Sequence, residues 1–344
     1  MNLAQVAEQL FVVPDLGGRP TGGTLYNRRL LGALSQLGFT ARWCELERAE
    51  FALREVQPRI VWLDSLYLAG VPALKARLSG SARLGLLLHY LPALVAQGRR
   101  VEASELSVAE RAALSLADCA LVPSEFMREV VSGLDFGDRP ILCVEPGCEL
   151  LPGAPAAARA EGVRALLVAH VVAGKGIEPL LAALAVALGP SDRFELCIVG
   201  DLSVEPSYAT RCQALVAAEP MLVGRVRFRG LLSERDAHAA LFAGNLLLSA
   251  SFMESYGMAL AEGRAAGLPL LVREGGNVRF HVEPAAGGEC LASATELAQA
   301  CVRLCRDPGE HGRRLLAARN HVRPARPWRR AAEEFVAAIQ PLFT

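Results

Sequence analysis

Short apolar runs alternate with amphipathic stretches along the chain. "LFVVP" (10–14), "RIVWLD" (59–64), "RLGLLLHY" (83–90), "CALVPS" (119–124) and "ILCVEPG" (141–147) read as strands. They are apolar throughout, as expected of strands covered on both faces. Between them lie helical stretches such as "TLYNRRLLGALSQLG" and "VAERAALSLAD", the first closed by Gly38. A second series follows: "RALLVAH" (164–170), "RFELCIVGD" (193–201), "RVRFRG" (225–230), "NLLLSAS" (245–251) and "LPLLVRE" (268–274). Strand–helix alternation predicts parallel sheets with helices on both faces. "LLPGAPAAARAEG" (150–162) loses the apolar period and is rich in Pro, Gly and Ala, so it reads as a linker.

The chain has 344 residues, which is long for one hydrophobic core and predicts two domains. The expected division is 1–150, a linker at 151–162, 163–325, and a last helix at 326–344 open to packing back on the first domain. Hydrophobic residues make up 52% and charged residues 21%, a globular composition. Lys+Arg and Asp+Glu are both 36, so the basic excess of a general nucleic-acid binder is lacking. No stretch has the apolar length of a spanning helix, and the N-terminus lacks the basic start and cleavage site of a signal peptide. The nine cysteines are odd in number, lie mostly in apolar runs and form no C-x-x-C. They read as buried reduced thiols of a cytoplasmic chain. Cys301 and Cys305 share a helix face, with no nearby His to complete a metal set.

Ligands of open parallel sheets bind at the carboxyl ends of the strands, and every candidate lies there. In "DLGGRPTGGTLYNRRL", Gly17, Gly18, Gly22 and Gly23 lie between a strand and a helix. Such glycines let backbone approach a phosphate or sugar, or simply form a flexible turn. Their spacing is neither G-x-G-x-x-G nor a P-loop. His89 ends an apolar strand; it either faces a ligand or is a satisfied core histidine. Ser124 and Glu145-Pro146-Gly147 end strands and read as structural. Lys175, in "AHVVAGKGIEPLL", is placed to reach an anion, or is a solvated lysine.

The densest signal is "SFMESYGMALAEG" (251–263), with Glu254 and Glu262 flanking Ser255, Tyr256, Gly257 and Met258. It reads as a turn followed by a helix, whose first amides offer a diphosphate site. Were the helical rise continuous, the two carboxylates would be about 12 Å apart and within about 80° of one face. Each can accept two hydrogen bonds from a vicinal diol, as the two ends of a nucleotide sugar require. Acidic residues near a helix start also suit its dipole, which accounts for Glu254 better than for Glu262.

These residues resemble the donor-site signature of the retaining glycosyltransferases of family 4. "TGGTLYNRRL", "ERAALSLADCALVPSEFM", "VEPG", "GKGIEPLLAAL", "ELCIVGD", "RVRFRGLLSERDAHAALFAGNLLLSAS" and "AAGLPLLV" follow in the family's order. The resemblance implies the α/β GT-B fold: two Rossmann-like, doubly wound parallel-sheet domains facing across a cleft, acceptor mainly on the first and donor on the second. It implies that Glu254 holds the transferred sugar, Glu262 the ribose, and Lys175 with amides around Gly257 and Met258 the diphosphate. Gly22 and Gly23 would lie near the diphosphate and His89 beside the donor sugar. Gly200 and Leu231 would border the nucleoside, and Ser255 is compatible with the family's small residue after the first glutamate. The chain departs at Ala169-His170, where many members carry Gly-Arg. There either His170 is charged by the bound diphosphate, or another group compensates for the permanent cation, with Arg273 and Arg279 as candidates, or donor binding is weak.

The expected activity is metal-independent, retaining transfer of a sugar from a UDP- or GDP-sugar to a small-molecule, saccharide or lipid acceptor, with no cofactor. Arg28, Arg29, Arg99 and Arg100 leave peripheral contact with the inner face of a membrane open. The sequence fixes neither the acceptor nor the oligomeric state. The rival readings are a GT-B phosphorylase or epimerase and a catalytically inactive GT-B-like binding protein. The glycine fingerprint of a dehydrogenase is absent.

Overall fold

The computed structural model describes residues 9–17, 20–39, 41–150 and 162–343. Gly18 and the linker expected at 151–162, save Gly162, lie outside them. The chain divides into two compact units, Met1–Gly147 with Arg326–Thr344, and Cys148–Ala325.

Among the described residues the first unit holds six strands: β1 Gln9–Val12, β2 Arg42–Cys44, β3 Ile60–Asp64, β4 Arg83–Leu87, β5 Cys119–Val122 and β6 Ile141–Cys143. They form one parallel sheet in the order β2-β1-β3-β4-β5-β6. Strands β1, β3 and β5 are buried at every position, which explains why their sequences show no polar alternation. Trp62, Phe11 and Phe335 pack as an aromatic cluster, and Trp62 Nε1 donates to Gln9 Oε1 at 2.8 Å. Phe335 comes from the last helix, Trp328–Ile339, whose Trp328 also meets the edge of Tyr26. Arg326 anchors the approach to that helix by donating to the carbonyls of Glu145 and Pro146, each at 3.2 Å.

The second unit holds β7 Val163–Val168, β8 Phe194–Val199, β9 Val226–Gly230, β10 Leu246–Ser249, β11 Leu270–Arg273 and β12 Glu289–Leu291. All pairings are parallel, in the order β12-β11-β10-β7-β8-β9. The core on one sheet face joins Ile177, Leu180, Leu181 and Leu184 of one helix to Leu297, Cys301 and Leu304 of another. A second cluster around Leu247, Leu260, Leu270 and Val278 covers the other face.

The two sheets share one geometric consequence. Strand order reverses between β1 and β3 in the first unit, and between β7 and β10 in the second. Chain leaving the two strands on either side of such a point diverges to opposite faces and leaves a crevice at their carboxyl ends. The loops after β1, β3, β7 and β10 carry most of the candidate residues.

Two strands escaped the sequence reading. β2 is a three-residue edge with two exposed positions, and β12 is a half-buried edge of the same length. Edge strands bury too little surface to require an apolar run.

Candidate active site

In the second unit the chain leaves β7, turns through Ala173–Lys175 and enters the helix Ile177–Ala187. Gly176 makes that turn with φ 62°, and a Cβ there would lie 2.2 Å from the Ala250 carbonyl oxygen. Both the left-handed backbone and the close approach require glycine. The Phe252 amide donates to Gly174 O at 3.0 Å, docking the loop after β7 onto the loop after β10. This brings Lys175 Nζ to 2.6 Å from Glu254 Oε1, with the side chains 29% and 18% exposed. The sequence reading placed these two residues at one site but not in direct contact.

Glu254 is not part of a helix. It bridges to Gly276 across parallel backbone, and its carbonyl accepts from the Asn277 amide at 2.7 Å. The helix begins only at Met258 and runs to Ala265, with Gly257 as N-cap at φ 96°. The continuous rise behind the 12 Å spacing of the two glutamates therefore does not exist. Glu262 lies within that helix, half-buried. Its charge and that of Glu149 add to burial in pushing the Cys148 thiol up to about 12.

The turn Ser255–Gly257 is held from below by groups the sequence reading did not name. Asn277 Nδ2 donates to Tyr256 O at 2.9 Å, and His281 Nε2 lies 2.7 Å from the same oxygen. A carbonyl only accepts, so the His281 proton is on Nε2. His281 is fully buried, and burial lowers its pKa to about 4. Tyr256 is buried against Phe280 and His281, while Ser255 and Met258 are half-buried. The first amides of the helix are thus presented on a braced turn.

His170 follows β7. Its Nδ1 accepts from the Asp201 amide at 3.2 Å, so in this arrangement Nδ1 carries no proton. A full imidazolium requires that bond to break. Of the two candidate replacements, Arg279 pairs with Glu274, Nε to Oε1 at 2.7 Å. Arg273 lies over the Phe252 ring, 4.4 Å from its centroid, with a buried Nη1 that has no hydrogen-bond partner among the described residues. Arg273 ends β11 and Phe252 follows β10, so both belong to the same carboxyl edge as Lys175. Gly200 follows β8 and donates to Gly230 O at 3.0 Å; Leu231, after β9, is exposed.

In the first unit Gly22 and Gly23 do not precede the helix but form its first turn, Gly22–Gln36, capped by Thr21. A Cβ on Gly23 would stand 3.0 Å from His89 Cδ2. His89, just beyond β4, places Nε2 2.8 Å from Asn27 Oδ1 and 3.4 Å from Asp64 Oδ2. Asn27 Nδ2 donates to Asp64 Oδ2 at 2.6 Å, and the Leu66 amide donates to Oδ1 at 2.8 Å. Burial alone would raise the Asp64 carboxyl; the hydrogen bond and electrostatic attraction of His89, with the hydrogen bonds from Leu66 and Asn27, outweigh it and hold it below the ordinary range. Asp64 and Asn27 were also missed. Their only signals were one acid closing the apolar run "RIVWLD" and one amide on the apolar face of a helix.

Ser124 caps the helix Glu125–Ser132, as its position after a strand suggests. All nine cysteines are free. Among the described residues no group of three or more His, Cys, Asp or Glu is placed to hold a metal ion. No described helix is long and apolar enough to cross a membrane.

Residues 163–307, within the second unit, match the family model for glycosyl transferases group 1. No protein of curated function matches the chain. Solved structures match it nearly end to end. Sucrose-phosphate synthase from Thermosynechococcus elongatus superposes with TM-score 0.79 at 20% identity, over 97% of this chain and 98% of that one. Anabaena HepE in complex with UDP-glucose gives 0.75 at 16% identity, over 97% and 99%. The lipopolysaccharide outer core galactosyltransferase WaaB gives 0.66 at 17%, over 97% and 99%. At these identities the likeness establishes the fold, GT-B, in agreement with the two doubly wound sheets.

Proposed function

We propose that the protein is a hexosyltransferase that moves a sugar from a nucleoside-diphosphate sugar to an acceptor hydroxyl. The observation that carries this reading is the Lys175–Glu254 pair. It stands at the strand-order reversal of a glycosyltransferase domain, beside the braced N-terminus of the helix Met258–Ala265. In this reading Glu254 accepts from the transferred sugar's hydroxyls, Glu262 from the ribose, and Gly200 and Leu231 border the nucleoside. Lys175 and the amides of Gly257 and Met258 take the diphosphate, whose negative charge grows as its bond to the sugar breaks. Ser255 and Tyr256 shape that turn. The bond from the anomeric carbon to phosphate oxygen breaks and a bond to the acceptor oxygen forms on the same face. The acceptor's proton leaves on the departing phosphate, giving retention without a protein nucleophile or a metal.

The HepE structures, solved with UDP and with UDP-glucose, support testing uridine donors first. Incubation with UDP-, GDP- and ADP-sugars and an acceptor panel, read by mass spectrometry with and without chelator, tests the reading. A product of inverted configuration, or one formed only with added metal, refutes its finer terms. One observation favours a second reading, an inactive nucleotide-sugar binder: His170 is held as a hydrogen-bond acceptor where the family has a cation. Calorimetric binding of UDP-glucose with no turnover on any acceptor would select it.

A further inference from the structure

We propose that Asp64 and Asn27 are positioning residues that hold His89 as its Nε2–H tautomer, leaving Nδ1 as a lone-pair acceptor for a ligand hydroxyl. The inference rests on the glycosyl-transfer reading for its ligand, but not for its geometry.

The orientation follows from donor and acceptor counting. The ionised Asp64 carboxylate can only accept, and it is 1% exposed. One oxygen is taken by the Leu66 amide, and Asn27, 2% exposed, must turn its NH₂ group toward the other. The Asn27 carbonyl oxygen is thereby aimed at His89 Nε2. Both groups within reach of Nε2 are acceptors, so the imidazole proton resides there. Nδ1 has no hydrogen-bond partner among the described residues, and His89 keeps 9% of its surface exposed.

The ring has little freedom to exchange its two nitrogens. The backbone at Gly23 closes one side and the edge of Tyr26, 4.9 Å between centroids, another. His281 also leaves Nδ1 without a partner among the described residues, but it is fully buried, whereas His89 keeps part of its surface open to a ligand. A neutral imidazole with a bare Nδ1 accepts from a hydroxyl and repels a phosphate oxygen. The residue therefore selects the sugar or acceptor part of a ligand over its diphosphate.

The test is long-range proton–nitrogen NMR on the full chain labelled at histidine nitrogens, at about pH 8, where imidazoles are ordinarily neutral. His89→Gln identifies the signals. The expected result is a protonated Nε2 and a pyridine-type Nδ1 in the wild type. In Asp64→Asn, where the new side chain offers the Asn27 amide a donor as well as an acceptor, a mixture of tautomers is expected. Should Asp64→Asn fail to fold, Asn27→Ser removes the relay with the same expected mixture. An Nδ1–H tautomer or an imidazolium in the wild type overturns the proposal. So does an unchanged, pure Nε2–H form in the folded variant. With a donor and acceptor in hand, the variant should lose at least about tenfold in kcat while KM moves less than about twofold. A shifted tautomer with wild-type kcat refutes the positioning role. A wild type that turns over no nucleotide sugar refutes the proposed function alone, since the tautomer is read without turnover.

Discussion

Lys175→Met removes one cation and keeps most of its apolar stem, so it separates charge from packing. In the free protein the ammonium is 2.6 Å from Glu254, and the pair is neither buried nor fully exposed, at 29% and 18%. Exposed pairs contribute about 0–1 kcal/mol, and breaking a buried one costs about 3–5 kcal/mol. Water reaches both groups and can solvate the glutamate left behind, so a loss of about 1–2 kcal/mol is expected. For a unit the size of Cys148–Ala325 that is a fall in Tm of about 2–8 °C. The effect on reaction should be larger. Removing one preorganised group that faces developing negative charge typically costs about 100- to 1000-fold in kcat, or about 2.7–4 kcal/mol. The assay pairs a calorimetric melt with release of nucleoside diphosphate from the donor. Arg211→Met, which breaks the exposed Arg211–Glu178 pair of the same unit, serves as the control. If Lys175→Met unfolds, the residue is structural; if its kcat stays within about tenfold of wild type, the charge argument fails.

Gly176→Ala should cost about 2–4 kcal/mol, because φ 62° is joined by a Cβ 2.2 Å from Ala250 O. Gly224→Ala has similar φ but nothing within 4 Å, so equal costs in denaturant melts would contradict the docking of the two loops. His281, with pKa near 4 when folded and about 6.5 when unfolded, gives full stability above about pH 6.5 and loses up to about 3 kcal/mol as pH falls toward 4. Burial dominates that shift, Arg323 and Arg264 add to it, and Glu254 and the Tyr256 carbonyl oppose it. His281→Gln should flatten the slope across this window, though not abolish it, since His311 is also lowered by burial; an unchanged slope refutes the assignment. Arg273→Gln should weaken UDP binding by about 10–100-fold in calorimetry, the scale of one charge-assisted hydrogen bond, while Arg279→Gln changes it little. Equal affinities would make Arg273 a stacking residue only.

The fold was legible because its signal is local and repeated. Ten apolar runs became ten of the twelve strands among the described residues, and the two missed are short edges that burial does not specify. The site was legible only where backbone chemistry marks the chain. Gly176 and Gly257 are fixed by left-handed turns, and such glycines show in a single sequence. What stayed hidden was pairing across the sheet. Lys175 and Glu254 are 79 positions apart, His89 and Asn27 are 62 apart, and Asn27 and Asp64 are 37 apart. None of these contacts has a periodicity, because the order of strands, and not spacing along the chain, brings them together. A buried polar residue in an apolar run is then the one local trace. Asp64 closes "RIVWLD", Asn27 interrupts an apolar helix face, and His281 sits fully buried in "NVRFHVE". Each costs free energy unless satisfied, so each implies a partner in the fold. The sequence alone could say that such partners exist; only strand order could say that Asn27 and Asp64 are partners to each other and to His89.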